Sequence, residues 1–316
     1  MGVLVAVVLL LLGMAFLEVG AQLAVGGVQA LAVATGVSAF ALGVVLFGID
    51  TESLGSTVVA AGRGETALGA GVAFGTIVFT FGAAFGVALL LSRRPVAAPA
   101  PAKVLAPAIG LVGVTLTVTD LVVTRAEGLA LVLLYVAYLS SVVVGARHER
   151  AAPIAGGSDD AAGGTSGRGR LGWALARTAV GLVALYGGAW LMVEGGLRVL
   201  RLSDLTAGFV GAALVGVLAS LDEVVLEMMA VRRGSDGLAT GNLLGTLAGF
   251  TMLAPGVAAI VHPLTLDGAV SATLIAAAIL YVVVAVTFLL RGRAGRLLGA
   301  FLLVGFAGWA IAAVRL

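Results

Sequence analysis

The chain has 316 residues, of which 61% are hydrophobic and only 11% are charged, and its mean hydropathy is +1.18. Soluble globular domains carry about 25% charged residues, so this composition excludes that class and indicates an integral membrane protein. The formal net charge of only +2 argues against nucleic acid as a partner, and the absence of Cys excludes a disulfide framework or a thiolate metal site.

Apolar runs of about 20 residues recur along the whole chain, and each is long enough to cross a hydrocarbon core of roughly 30 Å as a helix. The runs are continuous rather than alternating, which favours helices over a β-barrel. We therefore predict an all-α integral membrane protein with ten transmembrane helices. The predicted spans are residues 3–25, 30–61, 67–91, 104–123, 128–146, 172–197, 205–231, 237–261, 268–290 and 296–314.

One long polar segment, residues 147–170, interrupts these runs, and its Gly, Ser, Ala and charged residues are typical of a flexible linker. It separates a first five-helix repeat, residues 1–146, from a second, residues 171–316. If successive loops alternate sides, thirteen of the 18 Lys and Arg residues lie on the linker side of the membrane. The positive-inside rule then predicts a cytoplasmic linker, with both termini outside a cell membrane.

An internal repeat is visible in the sequence itself. Residues 63–76 read RGETALGAGVAFGT and residues 233–246 read RGSDGLATGNLLGT, and six positions are identical at this offset of 170. Because five spans precede the linker, the second half is expected to enter the membrane from the opposite side. The sequence thus predicts an inverted-topology repeat, the architecture of many secondary transporters, whose substrate sites lie near the membrane midplane.

Acidic residues concentrate in the second predicted span and in its counterpart, the seventh. Asp50 and Glu52 lie in the second span, and Asp222, Glu223 and Glu227 lie in the seventh. A charged side chain at the bilayer centre costs about 2.5–3.5 kcal/mol on insertion scales, so such residues usually mark an ion or proton route. Carboxylates this close together cannot all be ionised without a cation. The pattern predicts a cation site between spans 2, 3, 7 and 8.

Structural roles are alternatives for two of these acids. Glu227 is followed by Arg232 and Arg233, so it could pair with that basic rim instead of lining a site. Asp222 could cap a broken helix by accepting backbone N–H groups. The Gly71/Gly75 and Gly241/Gly245 patterns also have two interpretations, close helix packing or access of an ion to backbone carbonyls.

These residues resemble the alpha repeats of the cation/calcium antiporter superfamily, the sodium/calcium exchangers. In that family a span with a G-T-S-L-P-E motif is followed by one with G-N-x-x-G-S-N. The second half reads LASLDE at Leu218–Glu223 and GNLLGT at Gly241–Thr246, and the first half reads FGIDTE at Phe47–Glu52 and GAGVAFGT at residues 69–76. The resemblance implies an antiporter that exports Ca²⁺ in exchange for Na⁺ or H⁺ and needs no cofactor.

Carried over by position, the resemblance makes Glu223 and Glu52 the central ligands and assigns the hydroxyl ligands to the motif serine and threonine positions. The complete set of predicted cation-site residues is Glu52, Glu223, Asp50, Asp222, Ser220, Thr76 and Thr246. By the 170-residue offset, however, Glu52 corresponds to Asp222 and not to Glu223. The family's Asn or Asp four residues beyond the second-motif serine is replaced by Thr80 and Phe250, which removes oxygens expected at the Na⁺ sites in particular.

The sequence as a whole predicts a secondary active antiporter that moves Ca²⁺ or a similar cation in exchange for Na⁺ or H⁺ by alternating access. Two alternatives stay open: a proton-coupled exporter of another cation, and a transport-inactive membrane scaffold of the same fold. An enzyme is not expected, because no nucleophile, base and orienting group occur together. Membrane lipid and inorganic cations are the expected partners, with no nucleic acid and no obligate protein partner.

Overall fold

The structure, a computed structural model, describes residues 2–48, 50–117, 121–148, 167–202 and 221–313. Those residues are mainly helical, with four strands of two residues each. The first half contains α1 Gly2–Thr35, α2 Ala39–Leu46, α3 Thr51–Gly62, α4 Thr66–Val78, the π-helical segment π1 Phe79–Ala84, α5 Phe85–Leu91, β1 Val96–Ala97, α6 Pro101–Leu105, α7 Ala108–Thr117, β2 Val122–Val123 and α8 Arg125–His148.

The described part of the second half repeats this succession of helices and short strands. It contains α9 Gly167–Leu202, α10 Leu221–Arg232, α11 Asp236–Ala248, the π-helical segment π2 Gly249–Leu253, α12 Ala254–Val261, β3 Leu264–Thr265, α13 Gly268–Arg291, β4 Arg293–Ala294 and α14 Arg296–Ala313. Each π segment interrupts what would otherwise be one long α-helix, residues 66–91 in the first half and residues 236–261 in the second.

Six helical stretches among the described residues are long and apolar enough to cross a membrane, judged by length and composition. They are Leu4–Thr35, Thr66–Leu91, Arg125–Ala146, Gly169–Gly188, Asp236–Val261 and Gly268–Arg291. Shorter apolar helices at Ser53–Gly62, Pro101–Leu116 and Arg296–Ala312 coincide with parts of three further predicted spans. The multi-helix membrane fold is therefore present, while the count of ten spans stays a prediction.

The predicted boundary between the first two spans is wrong. Helix α1 continues to Thr35, where Gly36 with φ of 71° ends it, a left-handed conformation that glycine adopts without a Cβ clash. The side chain of Ser38 then caps α2 by accepting a hydrogen bond from the backbone N–H of Ala41. The predicted second span is also not one helix, because α2 ends at Leu46 and α3 begins only at Thr51.

The 170-residue repeat is preserved in the element boundaries. Helices α3 and α10 start and end 170 positions apart, as do α4 and α11, and π1 and π2 begin at residues 79 and 249. The turns after α3 and α10 contain Gly64 and Gly234, with φ of 82° and 73°. Equivalent sequences thus form equivalent local structures in the two halves.

The four short strands join the two halves of the chain. Strand β1 pairs antiparallel with β4, with Val96 opposite Ala294, and β2 pairs antiparallel with β3, with Val123 opposite Leu264. Each two-stranded sheet therefore holds one loop of the first half against one loop of the second. The loops that flank the helices are positioned by backbone hydrogen bonds across the repeat boundary.

The two helices that contain π segments lie at the centre of the buried core. The largest fully buried side chains on them include Phe74, Phe81, Phe85, Leu244 and Phe250. Helices α1 and α9 pack against each other along most of their length. Glycines permit this close approach, since a Cβ on Gly20 would lie 2.5 Å from the backbone nitrogen of Leu185 and one on Gly188 would lie 2.6 Å from that of Leu17.

Candidate cation site

Asp50 lies in the break between α2 and α3. Its carboxylate is the part of the candidate site that the structure describes in the first half. One of its oxygens accepts a hydrogen bond from the backbone N–H of Ser53 at 3.2 Å and another from the Ser53 hydroxyl. These bonds satisfy orphan donors at the start of α3. Since α3 and α10 match at an offset of 170, Ser53 occupies the position of Glu223, and Asp50 occupies that of Ser220.

Glu223 on α10 is bound from the other half of the chain. The hydroxyl of Thr80 donates a hydrogen bond of 2.6 Å to its Oε2 atom, and Thr80 is fully buried in π1. The carboxylates of Asp50, Asp222 and Glu227 lie near enough to interact electrostatically with Glu223. The negative charges of Asp50, Asp222 and Glu227 therefore all act on Glu223. Thr80 lies in a π-helical segment, and such segments are frequent at functional sites.

Glu227, one helical turn beyond Glu223, lies inside the protein. It has an exposed fraction of 0%, its Oε2 accepts a hydrogen bond of 3.0 Å from the side-chain amide of Asn242, and its Oε1 is buried without a hydrogen-bond partner. Asn242 on α11 is also buried, with 4% exposed. The alternative that Glu227 pairs with the basic rim is therefore wrong.

Asp222 is the second residue of α10 and is buried, with 9% exposed. Its predicted capping role involves the segment immediately before α10. That segment, residues 203–220, lies outside the described residues, so capping stays a prediction. Burial beside Glu223 agrees with a place in the acidic group.

The remaining predicted site residues have different outcomes. The side chain of Glu52 and the whole of Ser220 lie outside the described residues. Thr76 donates its hydroxyl hydrogen to the carbonyl of Val72 at 3.0 Å, within its own helix, and Thr246 is buried on α11. Among the described residues, no group of three His, Asp or Glu side chains has the arrangement of a preformed metal site.

Sequence reasoning did not include two polar residues that the structure brings to these acids, Thr80 and Asn242. Thr80 stands where the resemblance expects an Asn or Asp, so the sequence predicts the loss of an oxygen there. The structure shows that its hydroxyl still reaches Glu223. Asn242 is the single Asn of the chain, a detectable signal, but its partner Glu227 could not be deduced from spacing.

Glycines on α11 allow α2 to pack closely against it. This packing places the break that contains Asp50 beside α11. A Cβ on Gly241 would lie 3.0 Å from the carbonyl carbon of Phe40, and one on Gly245 would lie 2.8 Å from the Cα of Gly48. The close-packing interpretation of this glycine pair is therefore confirmed. The repeat counterpart of α2, residues 209–216, lies outside the described residues, so the partner of the first-half glycine pair is not described.

The family whose sequence model is described as sodium/calcium exchanger protein matches residues 5–144 and 173–315. The chain belongs to the sodium/calcium exchanger family. The resemblance inferred from the motifs is thereby confirmed, and this exchanger is a membrane antiporter of cations in the general sense. The two matched segments leave out the polar linker between the halves.

Solved structures of the sodium-calcium exchanger NCX_Mj share the fold of this exchanger. One, soaked with 10 mM Na⁺ and 10 mM Sr²⁺, has a TM-score of 0.83 and 20% sequence identity, covering 99% of this chain and 100% of that one. Another, soaked with zero Na⁺ and Ca²⁺, has a TM-score of 0.82 and 21% identity, covering 98% and 99%. A search of curated proteins found no significant match.

Proposed function

We propose that this exchanger moves Ca²⁺ or a similar divalent cation across the membrane in exchange for Na⁺ or H⁺, by alternating access. The observation that carries the proposal is the hydrogen bond from Thr80 of the first half to Glu223 of the second, on the helix that also carries the buried acids Asp222 and Glu227. Like charges held together in a low-dielectric interior require a cation or protons to compensate them. A site that must always be compensated couples the exit of one cation to the entry of another.

In this proposal, Glu223 and Asp50 are the principal carboxylate ligands, assisted by Asp222. Hard cations such as Ca²⁺ take six to eight oxygen ligands, so hydroxyl and carbonyl oxygens must complete the set. The Thr80 hydroxyl donates its hydrogen to Glu223, and the lone pairs of its oxygen stay free to coordinate a cation. From their motif positions, the further proposed ligands are Glu52, Ser220, Thr76 and Thr246.

We also propose ten spans in two inverted five-helix repeats, residues 1–146 and 171–316, joined by a cytoplasmic linker with both termini outside the cell membrane. The constant 170-residue offset of the helix boundaries supports two equivalent halves. The strand pairs support opposite insertion. Strands β1 and β3 follow equivalent helices yet belong to different sheets, and each pairs with the strand before the last helix of the other half.

One observation favours H⁺ over Na⁺ as the coupling ion. Glu227 is fully buried with a neutral amide as its hydrogen-bond partner and one oxygen unpartnered. An unpartnered carboxyl oxygen in that setting can accept one proton, whereas a hard cation needs several oxygen ligands around it. In addition, Phe250 occupies a position where the resemblance expects an oxygen ligand of the Na⁺ sites.

Transport into liposomes tests the proposal. Vesicles that contain the full chain are loaded with Na⁺ or given an acidic interior. They are diluted into Na⁺-free medium or into neutral medium, which creates an outward Na⁺ or H⁺ gradient, and uptake of radiolabelled Ca²⁺ is measured. We expect uptake under at least one gradient, and its loss in Glu223→Gln. The matched control is Glu65→Gln, since Glu65 is exposed in the turn before α4.

Folded protein that takes up no Ca²⁺ under either gradient would contradict the proposal. Equal uptake by Glu223→Gln and the unaltered chain would also contradict the assigned role of Glu223. Comparison of the two gradients decides the coupling ion. Uptake driven by the pH gradient alone supports H⁺, and uptake driven by Na⁺ alone would overturn the preference given above.

A further inference from the structure

A basic pocket lies at the turn between α13 and α14, far along the chain from the acidic group. Its volume is about 450 Å³, and its lining includes Arg291, Arg293, Arg296 and Thr287, with no acidic residue. Arg291 ends α13, Arg293 lies in β4 and Arg296 begins α14. We name this site the hairpin pocket.

The backbone around the hairpin pocket is held in place independently of any ligand. Gly292, with φ of 64°, ends α13 by donating its N–H to the carbonyl of Phe288 at 2.9 Å. Strand β4 pairs with β1. Arg296 donates from Nε to the carbonyl of Ser92 at 2.8 Å, which orients its guanidinium. The backbone that carries the arginines is therefore fixed, and binding does not have to meet the entropy cost of ordering this loop.

Charge in the hairpin pocket is uncompensated within the described part of the chain. Arg94, which lies on the loop that contains β1, forms an ion pair of 2.7 Å with Asp236. By contrast, no carboxylate among the described residues pairs with Arg291 or Arg293, and both side chains are exposed. The N-terminus of the 18-residue helix α14 adds unpaired backbone N–H groups beside them. Positive charge, a concave shape and free donors together favour an anion.

Two leucines indicate where that anion comes from. Leu290 and Leu297 flank the arginines and are 80% and 77% exposed. At the end of a membrane-spanning helix such leucines contact acyl chains, and the adjacent arginines then lie at the depth of lipid phosphates. A soluble phosphate would make no use of the leucines. A lipid satisfies both the apolar and the basic surface.

We propose that the hairpin pocket binds the phosphate headgroup of an anionic phospholipid, with the acyl chains against Leu290 and Leu297. Arg291 and Arg293 bind the phosphate oxygens, and Arg296 keeps its structural bond to Ser92 while it adds positive charge. The positive-inside bias alone requires basic residues only in the loop, without a pocket. The bound lipid joins α13 and α14 at the edge of the β1–β4 sheet and stabilises the folded protein by mass action.

Thermal unfolding of the full chain in neutral detergent tests this inference, without any need for transport. Short-chain phosphatidylglycerol, phosphatidylcholine and glycerol 1-phosphate are titrated separately. We expect phosphatidylglycerol alone to raise the unfolding temperature. Arg291→Gln/Arg293→Gln is expected to weaken its apparent affinity about 30-fold, since each basic residue near an anionic lipid surface contributes about a fivefold effect.

Arg63→Gln/Arg232→Gln is the matched control, because both arginines are exposed and neither lines the pocket, so the same charge is removed elsewhere. Unfolding in phosphatidylcholine shows whether each variant is folded. Equal loss of affinity in the control pair would show general electrostatic attraction and overturn the pocket. Equal stabilisation by glycerol 1-phosphate would overturn the lipid as the source of the phosphate, and no response to any anion would overturn the site.

Discussion

Gly245 lies where α11 crosses the end of α2, and it is followed by Thr246, the last residue of the GNLLGT motif. A Cβ at Gly245 would be 2.8 Å from the Cα of Gly48 and 3.0 Å from the Cα of Val44. Ordinary van der Waals contact begins at 3.4 Å. Gly245→Ala therefore forces the two helices apart by about 0.6 Å, the difference between those distances.

The obstacle is backbone on both sides, so no side-chain rotation relieves it. Overpacking of this kind costs about 1–3 kcal/mol, and we expect Gly245→Ala to lie in the upper part of that range. The shift also displaces the break that contains Asp50, two residues beyond Gly48. Stabilisation of the protein by Ca²⁺ or Na⁺ should therefore weaken together with the fold.

Thermal unfolding of the purified protein, with and without added cations, measures both effects. Gly308→Ala is the matched control, because a Cβ there meets no described atom within 4 Å, and it should unfold at the temperature of the unaltered chain or slightly above it. If Gly245→Ala unfolds at the same temperature as Gly308→Ala, the inferred close crossing of α2 and α11 is incorrect.

Two further substitutions concern the polar contacts of the acids. Thr80→Val removes the hydroxyl that bonds to Glu223. This should cost about 1–3 kcal/mol of stability, because a buried acceptor is left unpaired, and it should weaken cation binding measured by thermal shift. Thr80→Ser should behave like the unaltered chain, and equal losses in both variants would contradict the role of the hydroxyl. Asn242→Leu removes the N–H that Glu227 accepts, with a similar expected cost. Adding Glu227→Leu should recover most of that stability, because replacing both partners by apolar groups leaves no unpaired carboxyl; additive losses in the double-mutant cycle would refute the pairing.

The sequence alone determined the membrane class, the family and the 170-residue repeat, and it predicted a site at the acidic residues. Predicted spans 67–91, 237–261 and 268–290 agree with the structure to within about one residue at each end. This succeeds because run length, hydropathy and charge are local properties, and a helix must satisfy its own backbone in lipid. The presence of several carboxylates in one apolar run is likewise visible without knowledge of the packing.

Only the tertiary structure decided which groups meet. Thr80 and Glu223 are 143 positions apart in the chain, and their contact depends on how α4 and π1 cross α10. The close approach of Gly48 to Gly245, like the hydrogen bonds from Ser53 to Asp50 at the start of α3, also could not be read from the sequence. Such contacts are set by distances of tenths of an ångström between helices, which the pattern of apolar and acidic residues does not contain.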